Sequence, residues 1–169
     1  MVESTADTRY AVCVLNPDGD SGVKGVVKFV QQVGGKVTIQ ATITGLAPGN
    51  HGFHIHEFGN LTNGCVTAGP HYNPTGQTHA GPDDEVRHVG DLGNIVADDS
   101  GVANFTLEDH LIHVYGDVNN VVGRSVVVHK NQDDLGRGDN EESLKTGNAG
   151  ARQACGVIGI SGPLELQKL

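Results

Sequence analysis

From Lys36 to Thr44, Val37, Ile39, Ala41 and Ile43 alternate with Lys36, Thr38, Gln40, Thr42 and Thr44. Successive side chains of a strand point to opposite faces, so this run predicts a strand with its apolar face on a core and its Gln40 face in water. Tyr10 to Leu15 reads as a strand before it, closed by the turn Asn16, Pro17, Asp18, Gly19. Val23 to Gln31 reads as another, with Lys24 and Lys28 on one face and Val27 and Phe29 on the other, and a Gly34–Gly35 turn leads out of it. Ile95–Ala97 and Val102–Leu107 flank the turn Asp98, Asp99, Ser100, Gly101 and predict a hairpin. Leu111–Tyr115, Arg124–His129 and Gly156–Ile160 follow as further strands. The one helical signal is a turn around Asn140 to Leu144.

Two segments break the alternation. Phe58 to Asp91 and Lys130 to Gln153 have no sustained period and recurrent Gly, and loops of that length in a compact domain are usually functional. Short strands at regular spacing, with two long loops, predict an all-β sandwich or barrel. Composition agrees: hydrophobic residues make up 37% of the chain but aromatics only 4%, with no Trp, so the core is built from Val, Ile, Leu and Ala. The 169 residues read as a single domain, with 1–7 and 161–169 as terminal extensions.

Charge narrows the partners. A net charge of −9 disfavours nucleic acid and anionic membrane, which both need clustered Lys and Arg, but it leaves an anionic small substrate open because local field and net charge can differ in sign. No apolar run reaches the ~20 residues of a membrane helix, and residues 1–7 show neither a basic nor an apolar leader region, so the expected location is cytoplasmic. Of the three cysteines, Cys13 reads as a small buried hydrophobe, and a cytoplasmic compartment makes reduced thiols the default for Cys65 and Cys155.

The candidate chemistry lies in the histidines. His54 and His56, two apart in a strand-like run, place two imidazoles on one face, and an apolar strand would bury such a pair only at a cost unless something partners them. His71, His79, His88, Asp91 and His129 are further candidate ligands. Six imidazoles and one carboxylate fill two four-ligand sites only if one imidazole serves both, a donor set suited to copper and zinc. His51, His110 and His113 read as structural or surface residues. There is no HExxH helix, GxSxG elbow, P-loop or dinucleotide fingerprint.

The runs Gly52–Gly59, Gly69–Pro74, Arg87–Asn94, Gly147–Arg152 and Ala154–Gly159 closely resemble the copper/zinc superoxide dismutases, over roughly residues 8–160. The resemblance implies an eight-stranded antiparallel Greek-key β-barrel, a fold grouped with the sandwich-type domains. It also implies dismutation of two superoxide anions to dioxygen and hydrogen peroxide by copper redox cycling. It makes His54, His56, His71 and His129 copper ligands and His71, His79, His88 and Asp91 zinc ligands. His71 would be the bridging imidazolate that carries a catalytic proton, and Asp133 the carboxylate orienting His54 and His79. Arg152 would bind superoxide, Glu141, Glu142 and Lys145 would shape the steering field, and Thr146 would line the channel. The resemblance further implies a Cys65–Cys155 disulfide, against the compartment-based default, and a homodimer through Phe58, Gly59, Val122, Gly123 and Ile160. A copper chaperone is the expected protein partner.

A copper chaperone that merely carries such a domain would add CxxC and CxC motifs, which are absent here. Departures from the family pattern are Asn60 in place of a common Asp, a Gly116–Asn120 connection one residue longer, and the tail Ser161–Leu169, which has no counterpart. Gln167, Lys168 and Leu169 resemble a peroxisomal address only loosely, since that signal has a small residue where Gln167 stands.

Overall fold

The computed structural model describes residues 7–168; most of the 1–7 extension and Leu169 of the tripeptide considered above lie outside the described residues. Among the described residues eight strands form: β1 (Thr8–Pro17), β2 (Lys24–Gln32), β3 (Val37–Thr44), β4 (Gly49–His56), β5 (Asp91–Ala97), β6 (Ala103–Asp109), β7 (Ser125–His129) and β8 (Arg152–Ile160). A 3-10 turn at Cys65–Ala68 and a single helical turn, α1 (Ser143–Thr146), sit in the long loops. Every pairing is antiparallel and the order is β5-β4-β7-β8-β1-β2-β3-β6. Chain-consecutive β3 and β4 lie far apart in that order, which is the Greek-key crossover, and β5 and β6 approach each other so that the barrel nearly closes.

The alternating positions point inward as expected. Val37, Ile39 and Ile43 of β3 are fully buried with Val27 and Phe29 of β2, Ala11 and Cys13 of β1, Phe53 and Ile55 of β4, and Val126 and Val128 of β7. Phe53 meets Phe105 edge to face, with centroids 5.4 Å apart. β4 departs from half-burial: every residue from His51 to His56 is buried. Its inward face, Phe53 and Ile55, belongs to the core, while its outward face, His54 and His56, is roofed by the long loops. Gly52 permits that roof, since a Cβ there would come within 2.7 Å of Ala149 Cβ.

Four expectations are corrected. β5 and β6 do not form a hairpin; they stand at opposite ends of the strand order. Asp98 N–H to Val102 O and Gly101 N–H to Asp98 O close their turn, and Leu46 N–H then claims Gly101 O, pinning the turn to the β3–β4 connection. Leu111–Tyr115 is no strand. Its backbone donors go to side chains and a local turn: Leu111 and Ile112 N–H to Asp109 Oδ2, Val114 N–H to Gln31 Oε1, His113 N–H to Asn119 O. Gln40, expected in water, is only 7% exposed. The helical turn lies slightly later than expected, over α1.

Candidate metal centre

Four segments converge outside β4. β4 carries His54 and His56; the 57–90 loop carries His71, His79 and His88; Asp91 opens β5 and His129 closes β7. Their ligand atoms form two groups in which all atoms lie within 4.8 Å of one another: His54, His56, His71 and His129, and His71, His79, His88 and Asp91. His71 belongs to both. All seven residues are buried.

The outer ring nitrogens decide which nitrogens face inward. His54 Nε2 is 2.7 Å from Asp133 Oδ2, which leaves His54 Nδ1 facing the first group. His56 Nδ1 donates to Gly69 O at 2.7 Å and His129 Nδ1 to Gly150 O at 3.1 Å, so their Nε2 atoms turn toward each other, 3.3 Å apart. His71 Nδ1 lies 3.1 Å from both His88 Nδ1 and Asp91 Oδ1. His79 is held at both ends, Nδ1 to Asp91 Oδ1 and Nε2 to Asp133 Oδ1, each 2.7 Å. The other Asp91 oxygen, Oδ2, accepts from the Ala80 and His88 amides.

This arrangement fits two metal ions. His54 Nδ1 and His71 Nε2 are buried without any hydrogen-bond partner. Buried polar atoms are rarely left so, and two of them converging on the Nε2 atoms of His56 and His129 make a cluster of lone pairs that a cation satisfies. Four of the six candidate imidazoles, His54, His56, His79 and His129, also have a carbonyl or carboxylate on the far nitrogen, the outer contact that fixes tautomer and basicity.

Titration behaviour agrees. Burial, then the neighbouring imidazoles of His71 and His129, push His54 and His56 well below the usual imidazole range. Burial likewise lowers His71, and takes His129 down to about 4. All four are therefore neutral, with lone pairs free. His79 runs the other way: burial lowers it, but hydrogen bonds to Asp133 and Asp91 outweigh that and raise it to about 9. Burial would raise the Asp91 carboxyl, yet hydrogen bonds from His71, His79 and His88 hold it far below the carboxylate range.

Asp133, in the 130–151 loop, is fully buried and spans the two groups through His54 and His79. Two residues that sequence reasoning gave no role hold this frame. Asn94 clamps the Asp133 backbone from both sides, accepting its N–H at 2.7 Å and donating to its O at 2.9 Å. The buried Arg87 guanidinium donates to Pro82 O, His88 O and Val89 O and pairs with Asp109 at 2.8 Å, pinning the loop beside His88. A lone Arg next to a candidate ligand, in a loop otherwise rich in Gly and Pro, was the available signal. His51 is structural as expected, its ring nitrogens against His129 O and Ala47 O.

Cys65 and Cys155 are disulfide-bonded, which overturns the compartment-based default of reduced thiols and agrees with the family resemblance. The bond ties the 3-10 turn to β8, and Cys65 O accepts from Arg152 Nη1 at 2.8 Å. Arg152 is half-buried, and burial lowers its pKa. A cleft of about 1080 Å³ opens above His56, His71 and His129, with Arg152, Glu142, Lys145 and Thr146 on its walls. Glu141 is exposed and does not line it.

A nearly closed antiparallel barrel with two histidine clusters sharing one imidazole defines a two-metal β-barrel protein. The profile of the family "Copper/zinc superoxide dismutase (SODC)" matches residues 23–158. The chain is 58% identical over 150 residues to superoxide dismutase [Cu-Zn] A of Xenopus laevis and 59% over 153 residues to superoxide dismutase [Cu-Zn] of Saccharomyces cerevisiae. Each alignment covers 89% of this chain and 97% of the relative. It is 55% identical over 157 residues to the extracellular superoxide dismutase [Cu-Zn] of Onchocerca volvulus, covering 90% of this chain and 77% of that protein. The chain belongs to the copper/zinc superoxide dismutase family. Among the described residues no helix is long and apolar enough to cross a membrane.

Proposed function

We propose that His54, His56, His71 and His129 hold copper, that His71, His79, His88 and Asp91 hold zinc, and that His71 is shared. The observation that carries this reading is the pair of orphaned buried nitrogens, His54 Nδ1 and His71 Nε2, aimed into a set of neutral imidazoles. As a member of its family the chain is an oxidoreductase that converts two superoxide anions and two protons to dioxygen and hydrogen peroxide. Copper, when bound, supplies a one-electron couple that imidazole ligands tolerate in both oxidation states, and zinc supplies a fixed positive charge.

The residues do the rest. Arg152, steadied by Cys65 O, has guanidinium N–H groups left to bind an anion in the cleft. Lys145 adds positive potential at the wall, Glu141 and Glu142 shape the field at the rim, and Thr146 narrows the passage. His71 Nε2 is the ring nitrogen that would take up and give back a proton at each turnover, a role that its place at the cleft allows. Asp133 keeps the rings of His54 and His79 oriented throughout.

The test is superoxide decay by the purified protein beside its copper and zinc content. Decay lost on copper removal and restored by copper is the expected result; full metal content with no turnover would sink the reading. Arg152→Ala should lower the second-order rate about tenfold with metal content unchanged. We also propose a homodimer through the surface carrying Phe58 and Ile160, 49% and 84% exposed, which sedimentation of the full chain tests. Copper delivery by a chaperone and a cytoplasmic site of action are further proposals. Immunolocalisation decides the second, and secretion would place this chain with the relative from Onchocerca volvulus, named as an extracellular enzyme.

A further inference from the structure

The family match ends at residue 158 and β8 at Ile160, yet the segment that follows does not leave the barrel. Ser161 N–H donates to Tyr10 O on β1 at 3.0 Å. Farther on, Lys28 Nζ of β2 donates to Glu165 O at 3.3 Å. Gln40 of β3 then makes two bonds to the backbone of Gln167: its Nε2 donates to the carbonyl at 2.6 Å and its Oε1 accepts from the N–H at 2.7 Å. β1, β2 and β3 are adjacent, so the segment crosses them in turn on the outside of the barrel.

Two further observations agree. Leu164 and Leu166 are half-buried while Pro163, Glu165 and Gln167 are exposed, the period of an extended chain lying with one edge down. Gln40, which the alternation of β3 turns away from the core, is 7% exposed. Its amide also donates to Thr106 Oγ1 on β6, so one side chain holds both the neighbouring strand and the returning segment.

We propose that residues 161–168 form an intramolecular strap that braces the β1–β2–β3 wall, with the Gln40 carboxamide as its lock. A primary amide offers one donor and one acceptor side by side, and Gln40 uses them on both backbone groups of one residue, as a neighbouring strand would. The strap lies on strands that carry no ligand of the metal centre. Its contribution is therefore independent of metal, and is clearest in the metal-free protein, where ligand-linked stabilisation is absent.

The test uses the full chain, a chain ended after Gly162, and Gln40→Ala. In the full chain, nuclear Overhauser contacts should join the Leu164 and Leu166 methyl groups to side chains of β2 and β3. Both variants should lower the midpoint of metal-free thermal unfolding by about 2 °C or more and leave the dismutation rate per bound copper unchanged. Random-coil shifts for 163–168 in the full chain, or an unfolding midpoint that neither variant moves, would overturn the strap. Contacts found only between differently labelled copies would overturn its intramolecular form.

Discussion

Asp133 shows how one side chain sets the chemistry of two others. Its two oxygens take the Nε2 protons of His54 and His79, and that fixes Nδ1 of each ring as the inward atom. Asp133→Asn would present an N–H to one of those N–H groups, and zinc affinity should drop about 10- to 100-fold in a chelator competition. An affinity equal to the parent would count against the clamp. The imidazoles also set a pH signature. His54, His56, His71 and His129 have folded pKa values below the ordinary 6.5, so at acid pH the unfolded chain binds more protons than the folded one. Their contribution is complete above about pH 6.5 and is lost as pH falls toward about 4. His79, raised to about 9, contributes below pH 6.5 and fades as pH rises through about 9. The midpoint of metal-free unfolding should therefore fall on the acid side and, more gently, on the alkaline side. A flat midpoint from pH 6.5 to 4.5 would contradict the buried neutral imidazoles. The pairing of His54 with His56 was legible from spacing alone, because strand geometry puts i and i+2 on one face. Which nitrogen each uses was not, since Asp133 and Gly69 arrive from distant parts of the chain.

At the scale of elements, the disulfide joins cysteines 90 positions apart in sequence and anchors Arg152 through Cys65 O. Cys155→Ser should cost the metal-free protein about 4–5 kcal/mol in the loop-entropy account, read by denaturant unfolding. It should also loosen Arg152, so the rate per bound copper should fall along with stability; a stable variant with full activity would show that the turn holds itself. Sequence chemistry favoured reduced thiols here, and only the resemblance pointed to the bond. The strands with strict alternation, β2 and β3, were read within a residue of their observed limits, because burial of one face forces the two-residue period. Leu111–Tyr115 misled for the opposite reason: Ile112 and Val114 are buried, but Asp109 and Gln31 side chains satisfy its amides in place of a neighbouring strand. The β5–β6 turn looked like a hairpin because a local signal cannot register Leu46, which takes the carbonyl of Gly101.

At the scale of the whole molecule, the protein carries a net charge of −9 and yet works on an anion. The proposed resolution is local: Arg152 and Lys145 line the cleft beside Glu57 and Glu142. Beyond the effect of burial, Arg152 stands close enough to His56 and His129 to lower both, so the position of that cation rather than an excess of positive charge would draw the anion in. The second-order rate should therefore fall as ionic strength rises, because the Debye length shrinks to about 8 Å near 0.15 M salt. A rate indifferent to salt would remove the steering role of both residues.

What the chain alone determined was whatever depends on near neighbours: the period of the strands, the one-sided pair of His54 and His56, the breaks that become long loops, and the motif runs that carry the family resemblance. What tertiary structure decided was whatever depends on groups that meet from far apart. The grip of Asn94 on Asp133 and the bonds of Arg87 to Asp109 join distant residues, as does the burial of Gln40 under residues 161–168. The sharing of His71, by contrast, was already implied by the donor count and the family resemblance. The physical reason is that a side chain's face follows from its own backbone, while its partner follows from the closure of the barrel, which brings eight strands and two loops to one place.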